Sequence, residues 1–443
     1  MPARSTALML AAAITLLVPA GASAEPTHPD VSTFDYTPNM VPLGSSPNPV
    51  TNQYNSDLAF WGNKAYQGSY NGFRIIDISN PADPQQLLKY EDCPGNQGDV
   101  IIWDDILVRS WNSATTVSTN PPGPVMCDGD VVTPGFEGLH VFDVSNPQDP
   151  DLLASVPLPC GSHTATGVPD TANNRLLVYN SASSGTCPWI EIVSVPFATP
   201  QAAALMGIAP TGRGCHDTAV ILGSAMLAAC AGGNGLTMLS IGGSRGGSLT
   251  APEELWTKTI PGVSIGHAAT FTWDGEIVAF GHEPGGGAAA RCKVDDPDVN
   301  KTVFFFNAAD GAEVGRWVLP RPQGGNENCT IHNFNVVPSA TRNILVSGNY
   351  QSGISVVDFT DPAQAVEIAY ADPAPLGQNL ILGGDWSSYW YNGYIYEGDI
   401  KRGLLVWELI DDPDDPSDDG AVADAQTLEH LNPQTQEFTI AKA

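Results

Sequence analysis

Apolar residues along this chain come in short runs separated by polar breaks, and one pattern of strand and turn recurs. Three copies of a motif are clear, at residues 72–81, 138–147 and 353–362. Each copy has a glycine, an apolar run rich in β-branched residues, an aspartate, and a turn containing Asn or Asp and Pro. Weaker copies lie at residues 189–195, 236–241, 302–307 and 403–409. The pattern therefore predicts seven repeats of one structural unit.

Hairpin signals precede the motif within each unit. Asp274-Gly275 and Asn392-Gly393 each separate two short apolar runs, as in tight two-residue β-turns. Units of this length with four antiparallel strands are typical of β-propeller blades. The predicted blades span residues 55–90, 97–158, 163–208, 216–260, 267–319, 332–371 and 385–409. The chain is thus predicted to be all-β, a seven-bladed β-propeller of four-stranded antiparallel blades.

The last predicted blade has only three strands of its own. Residues 39–43 resemble the fourth strand of the other blades, so an N-terminal strand is predicted to complete blade seven. Closing the ring in this way removes exposed sheet edges.

The repeated motif resembles the LVIVD-repeat family of secreted β-propellers. The resemblance covers nearly the whole mature chain and implies the propeller fold, but it implies no established chemistry. Two blades depart from the motif at its aspartate, where Leu239 and Asn307 stand. The motif aspartates Asp77, Asp143 and Asp358 precede turns, so they are predicted to bind nearby backbone amides.

The N-terminus has the organisation of a secretory signal peptide. Arg4 precedes an apolar stretch at residues 8–18, and Ala22-Ser23-Ala24 forms a small-residue cleavage site. The predicted divisions are a signal peptide at 1–24, a segment at 25–54 that contributes the closing strand, the propeller at 55–410, and an acidic linker and tail at 411–443. We expect a secreted protein, extracellular or in the cell envelope, without a membrane span.

Charge and cysteine content narrow the function classes. The chain has 48 acidic residues against 18 basic ones, which argues against a nucleic-acid partner because phosphate binding needs a basic surface.

Eight cysteines without a C-x-x-C pair predict disulfides in an oxidising compartment. Four of them lie just before a first strand, and four lie at or after the end of a second strand. The predicted pairs are Cys93–Cys127, Cys160–Cys187, Cys215–Cys230 and Cys292–Cys329.

One column of the aligned blades is rich in histidine. The position at the start of the first strand reads Asn55, Gln97, His163, His216, His267, His332 and Asp385. First strands line a propeller channel, so these side chains are predicted to converge at the channel mouth. Imidazole is a common ligand of divalent transition metals, and the four histidines are therefore predicted metal ligands.

Other residues near this column are candidates for the same site. His282 and Asp385 are further candidate ligands, and Glu283 is a candidate catalytic base. Asp217 and Asp385 could orient an imidazole ring.

Three functions agree with this pattern. The first is a secreted metal-dependent hydrolase or oxidoreductase. The second is an extracellular propeller that binds a small molecule, a glycan or a protein without catalysis. The third is a structural cell-envelope protein in which the column is a polar collar. The fold itself does not choose among them, because propellers serve many functions.

Overall fold

A computed structural model of the protein describes residues 30–48, 54–112, 118–119, 122–183, 187–410 and 420–443. The predicted signal peptide at residues 1–24 and the acidic run at residues 411–419 lie outside the described residues. The described part consists of β-strands and a few single-turn 3-10 helices, which confirms the predicted all-β class. No helix in this part is long and apolar enough to cross a lipid bilayer.

Seven four-stranded antiparallel sheets form the blades of a propeller, as predicted. The first strand of each blade packs against the first strand of the next blade, and the seventh returns to the first, so the ring is closed. In chain order, the strands of blade one are Asn55–Trp61, Lys64–Ser69, Gly72–Asp77 and Gln85–Tyr90. Those of blade two are Val100–Trp103, Ile106–Trp111, Gly138–Asp143 and Asp151–Pro157. Those of blade three are Thr164–Asp170, Arg175–Ser181, Trp189–Pro196 and Ala204–Pro210.

The remaining blades have the same plan. The strands of blade four are Asp217–Ile221, Leu227–Gly232, Gly235–Ser240 and Glu253–Thr259, and those of blade five are Gly266–Phe271, Ile277–His282, Thr302–Asn307 and Glu313–Val318. The strands of blade six are Phe334–Val336, Ile344–Gly348, Ile354–Asp358 and Val366–Pro373. Those of blade seven are Asp385–Tyr391, Tyr394–Asp399, Gly403–Leu409 and Met40–Pro47. The 3-10 helices are Thr171–Asn173, Pro200–Ala202, Gly243–Arg245, Asp298–Lys301 and Pro362–Gln364. Two small hairpins inserted in blade two pair Ser118–Thr119 with Pro122–Gly123 and Met126–Cys127 with Asp130–Val131.

The N-terminal segment closes the ring, as predicted, but over a longer stretch than residues 39–43. Met40–Pro47 pairs antiparallel with Gly403–Leu409 as the outer strand of blade seven. Phe34–Tyr36 adds a fifth strand to the outer edge of blade six. The N-terminal segment therefore covers sheet edges of two adjacent blades.

The core lies between the faces of adjacent blades. Leu236 and Met238 of blade four, for example, pack with Phe271 and Phe280 of blade five in one buried cluster. The second and third strands of a blade, such as Leu227–Gly232 and Gly235–Ser240, are buried on both faces, whereas an outer strand such as Glu253–Thr259 stays partly exposed.

The motif residues after the third strand have the predicted structural role. The motif aspartate accepts a 2.8 Å hydrogen bond from the backbone amide two residues later in three blades (Asp77, Asp143 and Asp358). Asn307 makes the same 2.8 Å bond in blade five. In blade four the equivalent final strand residue is Ser240 rather than Leu239, because the third strand of this blade runs from Gly235 to Ser240. Its hydroxyl donates to turn carbonyls instead.

The C-terminal segment crosses the end of the channel opposite the histidine column. His430–Leu431 pairs with the end of the first strand of blade one, and Thr435–Gln436 pairs with that of blade four. Between these strands, Asn432 binds the backbone amide and carbonyl of Ile102 in blade two, both at 2.8 Å. The tail therefore joins blades on opposite sides of the ring and covers this end of the channel.

Side chains of the tail extend this contact around the ring. Thr435 donates to the carbonyl of Gly167 in blade three at 2.7 Å. Gln436 accepts from the amide and donates to the carbonyl of Phe271 in blade five, at 3.2 and 3.0 Å. The amide of Gln426 donates to a blade-six carbonyl, and the amide of Leu428 donates to Asn392 in blade seven. The tail thus contacts every blade of the propeller.

Candidate metal centre

The four histidines of the column lie side by side at one end of the channel. The ring centroids of His163 and His216 are 4.3 Å apart, those of His216 and His267 are 3.9 Å apart, and those of His267 and His332 are 4.3 Å apart. We call these four residues the histidine arc. Residues that align in the sequences of consecutive blades are therefore neighbours in the structure.

Backbone contacts at the starts of the first strands position the arc. The amides of His163, His216 and His332 each donate to a carbonyl near the end of the second strand of the same blade. His267 lies at a β-bulge between Gly266 and Ala269, which re-aims its side chain. Each ring is therefore held by the blade to which it belongs.

The arc lines a cavity of about 450 Å³. Glu283 and Tyr350 line the same cavity, together with the aromatic side chains of Tyr70 and Trp386. The deep wall includes Asp57, which accepts a 3.1 Å hydrogen bond from Gln434 of the tail. A cavity of this size is in the range of pockets that hold small molecules.

Two histidines and one carboxylate converge at the buried end of the arc. Nε2 of His332 is 3.6 Å from Oε1 of Glu283, and Nε2 of His267 is 3.7 Å from Oε2. The three side chains are at most 6% exposed. Both distances are longer than a hydrogen bond. They suit two ligands of one ion, since Zn–N and Zn–O distances are each about 2.0–2.2 Å.

The proton on His332 is fixed by the protein backbone. Its Nδ1 is hydrogen-bonded to the carbonyl oxygen of Trp386, so Nδ1 carries the hydrogen and Nε2 carries a lone pair. That lone pair faces an oxygen of Glu283. A cation between them would turn an unfavourable contact of two acceptors into a favourable one.

Tyr350 holds Glu283 in place. Its hydroxyl donates to Oε1 of Glu283 at 2.7 Å. The backbone of Tyr350 has a φ of 54°, which is costly for a bulky residue, and two hydrogen bonds with the backbone of Asp385 maintain it. A Cβ on Gly287 would lie 2.1 Å from the Tyr350 hydroxyl, so only glycine leaves room for this pair.

At the mouth end of the arc, one hydrogen bond joins the rings of His163 and His216. Nε2 of His163 and Nε2 of His216 are 2.8 Å apart, and Nδ1 of His163 contacts the amide of Asn112. Asp217 lies between His216 and His267, 3.5 Å from Nδ1 of the first and 3.8 Å from Nδ1 of the second. A second set of potential ligand atoms therefore adjoins the first.

The electrostatic environment keeps most of these rings neutral, which is the form that binds metal. Burial lowers the pKa of His163 and of His332 to about 3. Burial and the neighbouring imidazoles lower the pKa of His267 well below its usual value. At His216 burial also opposes the charged form, but the Asp217 carboxylate overcomes it and raises the pKa.

Two further candidates from the sequence do not reach the arc. Both ring nitrogens of His282 are engaged elsewhere: Nε2 accepts from the amide of Ser264 at 3.1 Å, and Nδ1 donates to the carbonyl of Val299 at 3.2 Å. Asp385 lies in a separate buried cluster with Glu397 and Asp399. Its backbone supports Tyr350, but its carboxylate does not line the cavity.

Several polar residues of the cavity were not expected from the sequence, among them Asp57, Asp99 and Tyr350. Asp57 and Asp99 line it, and each stands two residues after a column position, Asn55 and Gln97. Residues i and i+2 of a strand face the same side, so this spacing could have revealed them. Tyr350 follows a second strand in an irregular loop, and no sequence pattern marks it.

The structure joins the eight cysteines in the four predicted pairs, Cys93–Cys127, Cys160–Cys187, Cys215–Cys230 and Cys292–Cys329. Two of these bonds brace the arc. Cys215 directly precedes His216, and Cys329 is three residues before His332. The disulfides therefore restrict the loops that carry candidate ligands.

Asp57 should give the protein a measurable pH dependence of stability. Burial raises the pKa of Asp57 to about 6, against hydrogen bonds from Tyr389 and Leu58 that lower it. An unfolded aspartate has a pKa of about 4, so the folded state holds a proton that the unfolded state releases. The resulting stabilisation is complete below about pH 4 and is lost as pH rises to about 6.

Asp57→Asn, which cannot titrate, should lack this part of the pH profile. Relative to the variant, the parent's free energy of unfolding should fall by up to about 1.4 kcal/mol per pH unit between pH 4 and 6. Denaturant titrations at several pH values measure the difference. Parallel profiles for the two proteins would show that Asp57 keeps its ordinary pKa.

Comparison with known proteins supports the repeat and the fold. A family model described as the LVIVD repeat matches residues 54–92, which are the first blade and its borders. This confirms the resemblance seen in the sequence: the chain is a seven-bladed β-propeller that carries the LVIVD repeat. No curated protein sequence was found to match it significantly.

Solved structures show similarity of fold alone. A chain in the crystal structure of the mitotic checkpoint complex aligns with a TM-score of 0.50 and 12% identity, over 83% of this chain and 98% of that one. The computationally designed Ika8 protein aligns with a TM-score of 0.46 and 13% identity, over the same shares. At such low identity these matches carry no information about the site.

Proposed function

We propose that this protein is a secreted metal-dependent enzyme whose divalent transition-metal ion lies between His267, Glu283 and His332. The observation that carries the proposal is the pair of acceptors at 3.6 Å, the lone pair of His332 Nε2 and the carboxylate of Glu283. Burying two facing acceptors with neither a proton nor a cation between them is unfavourable. A metal ion there would satisfy both groups.

The donor set fits a catalytic rather than a structural ion. Two histidines and one glutamate are three protein ligands, and catalytic zinc sites commonly keep a fourth position for water or substrate. The three ligands line the 450 Å³ cavity, so the open position would face it. A divalent ion in such a site supplies Lewis acidity and lowers the pKa of a coordinated water.

The surrounding residues have positioning roles in this proposal. Trp386 orients His332 through its carbonyl, and Tyr350 orients Glu283 through its hydroxyl. Partners of this kind fix the tautomer and direction of metal ligands. Glu283, a candidate base from sequence, is assigned here as a ligand because both its oxygens face imidazole nitrogens.

Secretion is part of the proposal. The signal sequence at residues 1–24 and four disulfides both suit an oxidising, extracellular compartment. The size of the cavity favours a small molecule as substrate, with the aromatic rings of Tyr70 and Trp386 as apolar walls. Glycan or protein ligands at the same mouth are the alternatives that an activity screen separates.

Metal analysis of the purified mature protein tests the proposal. After incubation with Zn²⁺ and dialysis, the parent should retain stoichiometric metal. Glu283→Gln should weaken binding by about 100-fold or more, beyond the usual loss for a residue that only orients a ligand. Glu397→Gln, a matched change at a buried carboxylate outside the arc, should retain the metal.

Activity completes the test. The metal-loaded protein should turn over members of a panel of small ester, amide and phosphoester substrates. Protein from which a chelator has removed the metal should turn over none of them. A parent that takes up none of Zn²⁺, Cu²⁺, Ni²⁺ or Mn²⁺ would refute the metal site. Stoichiometric metal without turnover of any substrate would refute the enzymatic part and favour a binding propeller.

A further inference from the structure

We infer that the arc holds two metal ions, which share the imidazole of His267 as a bridge. The second ion would lie between His216, Asp217 and His267, on the side of the arc nearer the cavity mouth. This inference rests on the proposed function, because the first ion uses the other nitrogen of the same ring.

Unsatisfied polar atoms mark the second position. Nδ1 of His216, Nδ1 of His267 and Oδ1 of Asp217 are buried and have no hydrogen-bond partner within the described residues. The three residues also form a group in which each offers one potential ligand atom within 4.8 Å of the others. Leaving a buried polar atom unsatisfied costs about 1–3 kcal/mol, so three together indicate a missing ligand.

The distances match shared coordination rather than hydrogen bonding. Asp217 Oδ1 is 3.5 Å from Nδ1 of His216, and Asp217 Oδ2 is 3.8 Å from Nδ1 of His267. Glu283 Oε1 is 3.6 Å from Nε2 of His332, and Glu283 Oε2 is 3.7 Å from Nε2 of His267. The two carboxylates therefore have equivalent relations to their imidazoles, one at each end of the His267 ring.

His267 is the residue that links the two positions. Its Nδ1 faces Asp217 and its Nε2 faces Glu283, at 3.8 and 3.7 Å. A neutral imidazole has one N–H and one lone pair, so it can bind only one ion without losing its proton. When both ions bind, each nitrogen donates a lone pair to one ion, and the ring proton passes to water.

The second ion requires a particular tautomer of His216, and hydrogen bonds along the rest of the arc can support it. His216 must present a lone pair at Nδ1, so its hydrogen lies on Nε2. That hydrogen is donated to Nε2 of His163, 2.8 Å away. His163 then carries its own hydrogen on Nδ1. The side-chain amide of Asn112, whose Nδ2 faces this atom and Gln97 Oε1, must turn over so that its oxygen accepts that hydrogen.

Metal titration of the full mature protein tests this inference. The parent should bind two equivalents of Cu²⁺ or Zn²⁺. Asp217→Asn should bind one, because it keeps His267, Glu283 and His332, and its retained ion shows that the variant is folded. Replacement of Asp99 by Asn is the matched control at a cavity aspartate outside both ligand sets, and it should bind two.

Electron paramagnetic resonance gives an independent reading. Two Cu²⁺ ions bridged by one imidazolate are exchange-coupled, so the parent with two equivalents should show less signal than two isolated ions. Asp217→Asn should show the full signal of one isolated ion. The parent binding a single equivalent, or two uncoupled ions, would overturn the bridge but leave the proposed function intact. Binding of no metal would overturn both.

Discussion

Replacing His267 with alanine should leave the purified protein unable to retain transition metal. His267 is the one member of the arc with a nitrogen toward each carboxylate, Asp217 and Glu283. Its loss removes a ligand from both sets, so we expect affinity to fall by more than about 100-fold, the upper range for residues that only orient ligands. Equilibrium dialysis against Zn²⁺, followed by elemental analysis, measures this directly.

His282→Ala is the matched control for this experiment. His282 is a buried histidine close in sequence to Glu283, but its two ring nitrogens bind backbone groups rather than the arc. The control should lose some stability and keep its metal. Retention of metal by His267→Ala at the parent's level would show that the arc is a polar collar and not a metal centre.

Deleting residues 426–443 should strongly destabilise the propeller. This segment buries Leu428, Leu431 and Ile440 against the ends of the first strands. Burying such a side chain contributes about 1.5–3 kcal/mol, so losing three should lower the free energy of unfolding by about 5 kcal/mol or more. Thermal and denaturant unfolding of the truncated protein measure the loss.

A shorter truncation provides the control. Residues 441–443 are exposed. Lys442 forms surface ion pairs with Asp274 and Glu276, and the amide of Ala443 donates to the carbonyl of Ala340, so deleting these three residues should cost about 1 kcal/mol. The longer truncation should still bind metal at low temperature, because the arc lies at the other end of the channel. Equal stability of the long truncation and the parent would show that the tail does not brace the ring.

The repeat made much of the fold predictable. Seven motif copies gave the blade number, and the position of each cysteine relative to its strands gave all four disulfides. The aspartates of the motif were predictable as turn residues because their bonds are local, two residues along the chain. Features that recur with the blade period, or that act within one turn, leave a signal in a single sequence.

Features without that period were missed or only partly predicted. The tail reaches every blade, yet its contacts come from irregular backbone and single polar side chains such as Asn432. Tyr350 reaches Glu283 from a loop with a left-handed backbone, which no pattern of apolar residues encodes. The alignment of blade four was one residue out at Leu239, because its motif lacks the aspartate that anchors the others.

The sequence predicted that the four histidines lie together, but it did not predict that they belong to two separate sets of potential metal ligands. The sequence suggested one ion shared by four histidines with help from His282 or Asp385. Neighbouring blades bring neighbouring rings together, so the arc offers two adjoining ligand sets instead of one. The carboxylates that divide the arc, Asp217 and Glu283, come from a first strand and from the residue after a second strand.

Anomalous diffraction from crystals of the mature protein grown with Zn²⁺ tests the metal site most directly. Data recorded on both sides of the zinc absorption edge would locate the ion without reference to activity. We expect an anomalous peak within coordination distance of Nε2 of His267, Nε2 of His332 and an oxygen of Glu283. A cavity without a zinc peak, or zinc bound only at surface carboxylates, would contradict it.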